Sequence, residues 1–237
     1  MPHCNIHGKY VTRPQIVTKS RSHEQLCPKC AAEELHNRSD AFLTPTPINA
    51  IAAFESGLSK RFRFASLKNF AVPTAEHKRY VEIGNRFVSR FGGKEPFGGI
   101  VLLGEPGVGK THFAIAIGRE LAEMGLTPCY LTVANLIKRV RASWGEQGGE
   151  SIELSKLTHY DLLIIDEVGV QTGSANEKQI ICEVIDGRYN LMRPTILISN
   201  LDINGVSSYV SERSVSRVLE RGMQLPFNVK SYREVAA

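Results

Sequence analysis

The stretch Ile100-Val-Leu-Leu-Gly-Glu-Pro-Gly-Val-Gly-Lys-Thr111 decides the fold. Four apolar residues run straight into Gly-x-x-x-x-Gly-Lys-Thr, from Gly104 to Thr111, and the segment that follows has the spacing of an amphipathic helix ending at Gly125. An unbroken apolar run of this length reads as a buried parallel strand. Strand, Gly-rich loop and helix, in that order, form the context of a phosphate-binding loop. Gly104, Gly107 and Gly109 carry no Cβ, so backbone N–H groups can close around a phosphate. The helix N-terminus adds partial positive charge at the same point. Glu105, Pro106, Val108 and His112 complete the nucleotide-binding segment. Lys110 is expected to reach the β- and γ-phosphates of ATP, and the Thr111 hydroxyl to hold Mg²⁺.

A second motif lies some fifty residues on, where Tyr160-Asp-Leu-Leu-Ile-Ile-Asp-Glu167 puts four apolar residues before an acidic pair. The apolar run is a central parallel strand, and the pair falls at its C-terminal end, where open α/β sheets bind ligands. Asp166 is expected to order the Mg²⁺ shell, and Glu167 to activate the attacking water as general base. Thr195-Ile-Leu-Ile-Ser-Asn200 is a further buried strand with a polar residue at the same end. Asn200 there would contact the γ-phosphate or orient water, although Asn also simply ends strands.

The remaining pattern alternates strand and helix. Helices are expected over 48–54, 75–91, 134–144, 177–189 and 208–221, and a strand over 127–133. Together they predict an α/β P-loop NTPase, a parallel sheet flanked by helices, over residues 65–237. Residues 41–64 read as a linker containing Thr44-Pro-Thr-Pro47 and the basic, aromatic run Lys60-Arg-Phe-Arg-Phe64. That run suits either nucleic-acid contact or the ordinary start of a domain. The helix after the second strand gathers Lys138, Arg139, Arg141 and Trp144. Cations tracking a phosphate backbone and an indole stacking on a base would grip single-stranded DNA; a solvated helix face is the alternative. The segment 208–221 carries Arg213, Arg217 and Arg221, any of which could act on a neighbouring subunit's nucleotide.

The first forty residues differ in kind. Cys4-x-x-His7 and Cys27-x-x-Cys30 give two pairs with the spacing of metal ligands, in a polar segment too poor in apolar residues to build a core alone. A structural Zn²⁺ on Cys4, His7, Cys27 and Cys30 would supply the missing folding free energy, with His3 and His23 as possible substitutes for His7; free thiols in a tail are the alternative. Over its 237 residues the chain has a net charge of +5, 42% hydrophobic residues and a pI near 9.0. A modest basic bias suits a phosphate-bearing partner. The sequence shows neither a secretory leader nor an apolar run of membrane-spanning length, so a cytoplasmic protein without membrane contact is expected.

Taken in order, Gly-Glu-Pro-Gly-Val-Gly-Lys-Thr, Asp161-Leu-Leu-Ile-Ile-Asp-Glu-Val-Gly-Val-Gln-Thr172, Arg193-Pro-Thr-Ile-Leu-Ile-Ser-Asn200 and the final Ser231-Tyr-Arg233 resemble the DnaC/IstB group of AAA+ ATPases. Within the group the likeness is greatest to the DnaC replicative helicase loaders. The resemblance runs from about Ser66 to Arg233 and implies roles by position. Lys110 and Thr111 match Walker A, Asp166 and Glu167 match Walker B, and Asn200 matches sensor 1. Arg217 matches the arginine finger with Arg213 as companion, and Arg233 matches sensor 2. The helix at Lys138 to Arg141 follows the strand where these loaders carry a single-stranded-DNA-binding insertion. The implied function is an ATP hydrolase acting as a switch that loads a replicative, DnaB-type helicase onto single-stranded DNA in replication initiation, with self-association through the ATPase domain. A transposase helper of the IstB kind is the alternative. The Cys/His start replaces the helical, helicase-clasping region of DnaC, which points to a phage or prophage loader and to a different helicase-facing surface.

Overall fold

The computed structural model describes residues 50–91, 98–145, 148–170 and 173–232, together with the backbone of 3–4 and 8–9. The chain divides into two compact units, Met1–Leu43 and Thr44–Ala237. In the first, β1 (His3–Cys4) pairs antiparallel with β2 (Gly8–Lys9), Cys4 opposite Gly8. His7, Cys27 and Cys30 lie outside the described residues, as does Arg233.

The second unit is built on a five-stranded parallel sheet of β3 (Ile100–Leu103), β4 (Pro128–Thr132), β5 (Leu162–Val168), β6 (Thr195–Ser199) and β7 (Met223–Pro226). The spatial order is β4-β5-β6-β3-β7. The two central motif strands therefore flank β6: β3 pairs Leu102 with Ile198, and β5 pairs Ile165 with Leu197. That arrangement brings the phosphate loop, the acidic pair and Asn200 to one edge of the sheet, although they stand far apart in sequence. β7 was not expected. It is four residues long, stands at the sheet edge and ends in Pro226, so it carries little of the apolar run that marks a central strand.

The central strands are buried on both faces, which is why they read as continuous apolar runs. Ile100, Leu102, Ile164, Ile196 and Ile198 face a layer made by α1 (Ala50–Ser56), α2 (Ala75–Arg90) and α3 (Lys110–Glu123). Val101, Leu103, Leu163, Ile165 and Leu197 face α4 (Val133–Ala142), α5 (Gly149–His159), α6 (Ala175–Asn190), α7 (Ile203–Val210) and α8 (Glu212–Leu219). Within the stretch read as linker, Ala50, Phe54 and Leu58 are buried in the core. Gly118 makes this possible, since a Cβ there would lie 2.5 Å from the Phe54 ring.

The single helix expected over 208–221 is two. Ser211 takes φ +83°, which breaks the backbone after Val210. Its hydroxyl then accepts the Ser214 N–H and starts α8 as an N-cap. Two inward-facing stripes of similar period joined by a capping Ser are hard to tell from one continuous stripe in sequence.

Candidate functional site

The sheet's C-terminal edge opens into a cavity of about 360 Å³ between the phosphate loop, β5, β6 and the segment that enters α2. The loop owes its shape to φ values of +143°, +86° and +99° at Gly104, Gly107 and Gly109, a left-handed region costly for residues with a Cβ. Lys110, the first residue of α3, is buried and donates to three oxygens: the carbonyls of Gly104 and Glu105, the latter at 2.8 Å, and Asn200 Oδ1 at 2.9 Å. Burial pulls the Lys110 ammonium below its ordinary pKa, and the charges of Asp166 and Glu105 push back. A cation held by neutral oxygens at the N-terminus of a fourteen-residue helix fits a phosphate chain. The donor set is therefore suited to ATP. Thr111 Oγ1 donates to Asp166 Oδ2 at 2.8 Å, pairing the hydroxyl and the carboxylate that would hold Mg²⁺.

The acidic pair owes its geometry to a bulge. β5 and β6 stay in register at Ile165 and Leu197, then resume at Val168 and Ser199, so β5 carries one extra residue there. Glu167 takes φ +60° and its side chain is exposed at the cavity, whereas Asp166 is buried. Ser199 Oγ donates to the Val168 carbonyl at 2.6 Å and fixes the bulge. Two adjacent acids thus do different things. Asp166 points back to α3, and Glu167 is turned out where water can reach it.

Most of the expected residues converge. Gly107, Gly109, Lys110, Thr111, His112, Asp166, Glu167 and Asn200 line the cavity. His112 Nε2 lies 3.1 Å from Asn69 Oδ1 and 3.4 Å from the Ser66 carbonyl, tying α3 to the Ser66–Asn69 turn. Arg217 stands elsewhere. It forms an ion pair with Asp186, lies 5.0 Å from the Tyr189 ring centroid, and lines a separate cavity. Arg213 is exposed. Of the basic helix, Lys138, Arg141 and Trp144 are exposed, with Arg141 beside the Trp144 ring and 3.0 Å from Glu177. Arg139 turns inward instead, onto Glu153 and Tyr160.

Three residues of the site escape sequence reading. Tyr130 on β4 donates to Asp166 Oδ2 at 3.0 Å. Phe70 and Tyr232 close over the phosphate loop: a Cβ at Gly109 would lie 3.1 Å from the Tyr232 ring and 3.3 Å from Phe70. Tyr232 also donates its N–H to the Gly107 carbonyl at 3.1 Å and its hydroxyl to Ala71 at 2.8 Å. An aromatic residue in an irregular segment carries no periodic signal of contact with a loop over a hundred residues away.

The sequence from 93 to 234 matches the family described as IstB-like ATP binding protein. The replicative helicase loader DnaC of Escherichia coli strain K12 is 32% identical over 180 residues, covering 75% of this chain and 73% of that protein. The chain belongs to the DnaC/IstB family of AAA+ ATPases. It is thus an ATP-binding protein and an ATP hydrolase. DnaC of Buchnera aphidicola subsp. Baizongia pistaciae is likewise 32% identical over 182 residues, 76% of this chain and 73% of that one. The solved DnaC helicase loader has the same fold, with a TM-score of 0.63 at 25% identity over 71% of this chain and 99% of the other. DnaI, at 18% identity and a TM-score of 0.62, shares the fold. Among the described residues no three His, Cys, Asp or Glu cluster as a metal site, and no helix is long and apolar enough to cross a membrane.

Proposed function

We propose that this protein is an ATP-controlled loader that places a replicative, DnaB-type helicase on single-stranded DNA during replication initiation. The likeness to DnaC over three quarters of the chain carries this reading. In the proposed cycle Lys110 and the loop amides of Gly104 to Gly109 bind the phosphates, and Thr111 and Asp166 hold Mg²⁺, which supplies charge neutralisation at the phosphates. Glu167 takes the proton of the attacking water, and Asn200 orients that water or the γ-phosphate. Arg233, two residues beyond Ser231, is assigned to sense the nucleotide from the C-terminal segment.

Arg217 is assigned to a neighbouring subunit's site, with Arg213 as its companion. Its distance from its own cavity supports action in trans, because a group engaged with Asp186 and Tyr189 is not serving its own nucleotide. Nucleotide-dependent self-association follows. Single-stranded DNA contact is assigned to Lys138, Arg141 and Trp144, whose exposure suits a backbone-tracking, base-stacking role. Arg139, drawn into Glu153 and Tyr160, contributes to the fold more than to that surface.

The first unit is assigned a structural Zn²⁺ on Cys4, His7, Cys27 and Cys30. The antiparallel pairing of His3–Cys4 with Gly8–Lys9, which begins at the first of these ligands, supports it. Metal analysis of the purified chain should return about one zinc per protein. Co-purification against a DnaB-type helicase and against a transposase tests the function. Retention of the helicase with ATP supports the loader. Retention of the transposase alone replaces it with the IstB-type reading, for which the match to the IstB-like family is the basis.

A further inference from the structure

Asp166 is held by three donors from three different elements. Thr111 Oγ1 on α3 and Tyr130 OH on β4 both donate to Oδ2, at 2.8 and 3.0 Å, and the Glu167 N–H donates to Oδ1 at 2.7 Å. The parallel register explains how Tyr130 reaches. Thr132 is paired with Asp166 and Tyr130 with Ile164, so Tyr130 and Asp166 share a face of the sheet one pair apart. That diagonal is within reach of a long aromatic side chain. The ring is partly buried against the core cluster that includes Phe54, which fixes its direction. Burial and the neighbouring carboxylates raise the phenol's pKa, so it remains a donor throughout the usual pH range.

Thr111 and Tyr130 differ in where they stand. Thr111 lines the nucleotide cavity, whereas Tyr130 lies behind Asp166 and is absent from the cavity wall. Thr111 would be shared between the carboxylate and a nucleotide's cation. Tyr130 serves the carboxylate alone.

We propose that Tyr130 is a positioning residue for the Mg²⁺ of the nucleotide site, acting by locking the rotamer of Asp166 through its hydroxyl. The proposal rests on the ATP site and not on the helicase reading. Outer hydrogen bonds of this kind tune metal binding because they fix the orientation of the group that meets the ion's shell. Tyr130 thereby makes the cation's affinity depend on an edge strand that touches neither ATP nor metal.

The test uses the full-length chain, a fluorescent ATP analogue and Mg²⁺. Tyr130→Phe removes one oxygen and keeps the ring. Affinity for the analogue in EDTA should equal that of the unmodified protein, while the Mg²⁺ concentration giving half of the metal-dependent gain in affinity should rise roughly 10-fold. Thermal unfolding without nucleotide should be unchanged within a few degrees. Tyr130→Leu, which also lacks the hydroxyl, should show the same Mg²⁺ shift. A Mg²⁺ curve for Tyr130→Phe that overlays the unmodified one overturns the proposal. So does an equal loss of affinity with and without Mg²⁺, which places the effect on the nucleotide and not on the cation, or a shift seen only in the Leu variant, which identifies ring packing as the cause. Failure of the unmodified protein to bind the analogue would instead overturn the site itself.

Discussion

Lys110 and Asn200, ninety positions apart in sequence, meet at 2.9 Å, ammonium to amide oxygen. The contact ties the phosphate loop to the end of β6, where Asn200 lines the cavity with its amide. Replacing Asn200 by Ala removes that group while the loop keeps Lys110 through the Gly104 and Glu105 carbonyls. ATP binding should persist within a few-fold and kcat should fall about 100-fold, as for loss of one preorganised donor. Lys110→Ala should lose binding as well. Steady-state ATPase and nucleotide titration separate the two.

Glu167→Gln keeps the size of the side chain on its bulge and removes its basicity. Turnover should fall by 10²-fold or more with ATP affinity unchanged, the signature of a lost general base. The variant should therefore accumulate in the ATP-bound state, read as unreleased nucleotide after gel filtration. A kcat within two-fold of the unmodified chain would move the base elsewhere.

The ion pair of Arg217 with Asp186 predicts a complementation experiment. Lys110→Ala and Arg217→Ala should each be inactive. Mixed, the first supplies an intact arginine to the intact site of the second, and ATPase should return to roughly a quarter of normal if mixing is random and the arginine acts in trans. No recovery would place Arg217 in a purely structural role, with the Tyr189 ring and Asp186 as its only business.

Arg188 is fully buried and donates to the carbonyls of Leu157, Thr158, Tyr160, Asp161 and Pro194 and to the Thr195 hydroxyl. Burial pulls its pKa down to about 9. The guanidinium thus closes the N-terminal ends of β5 and β6, opposite the site. Arg188→Met would strand several buried acceptors and should destabilise the fold by at least about 3 kcal/mol. Melting should drop by roughly 6–12 °C for a unit of this size, with ATP affinity per folded molecule unchanged.

How far sequence reached follows from what carries a local signal. The phosphate loop and the Asp166-Glu167 pair were legible because strand, Gly-rich loop and helix are contiguous and the apolar runs are buried on both faces. Lys110, Thr111, Asp166 and Asn200 converge as their motifs imply. Tyr130 and Tyr232 were not legible, since their partners are 36 residues away in one case and across the chain in the other. β7 was missed because an edge strand of four residues has no length to show a period. The break at Ser211 was missed because a left-handed Ser is set by tertiary packing, not by local preference. Arg139 is paired with an acid on the next helix, a contact that a basic cluster read by itself does not announce.

ATP at this site is proposed to govern placement of a helicase on DNA. The direct measurement is assembly of a DnaB-type helicase on closed circular single-stranded DNA, scored by strand displacement from an annealed primer. With this protein and ATP, displacement should rise well above helicase alone, and Lys110→Ala should return it to that baseline. Displacement that is unchanged by the protein, or equally raised by Lys110→Ala, would contradict that role for ATP.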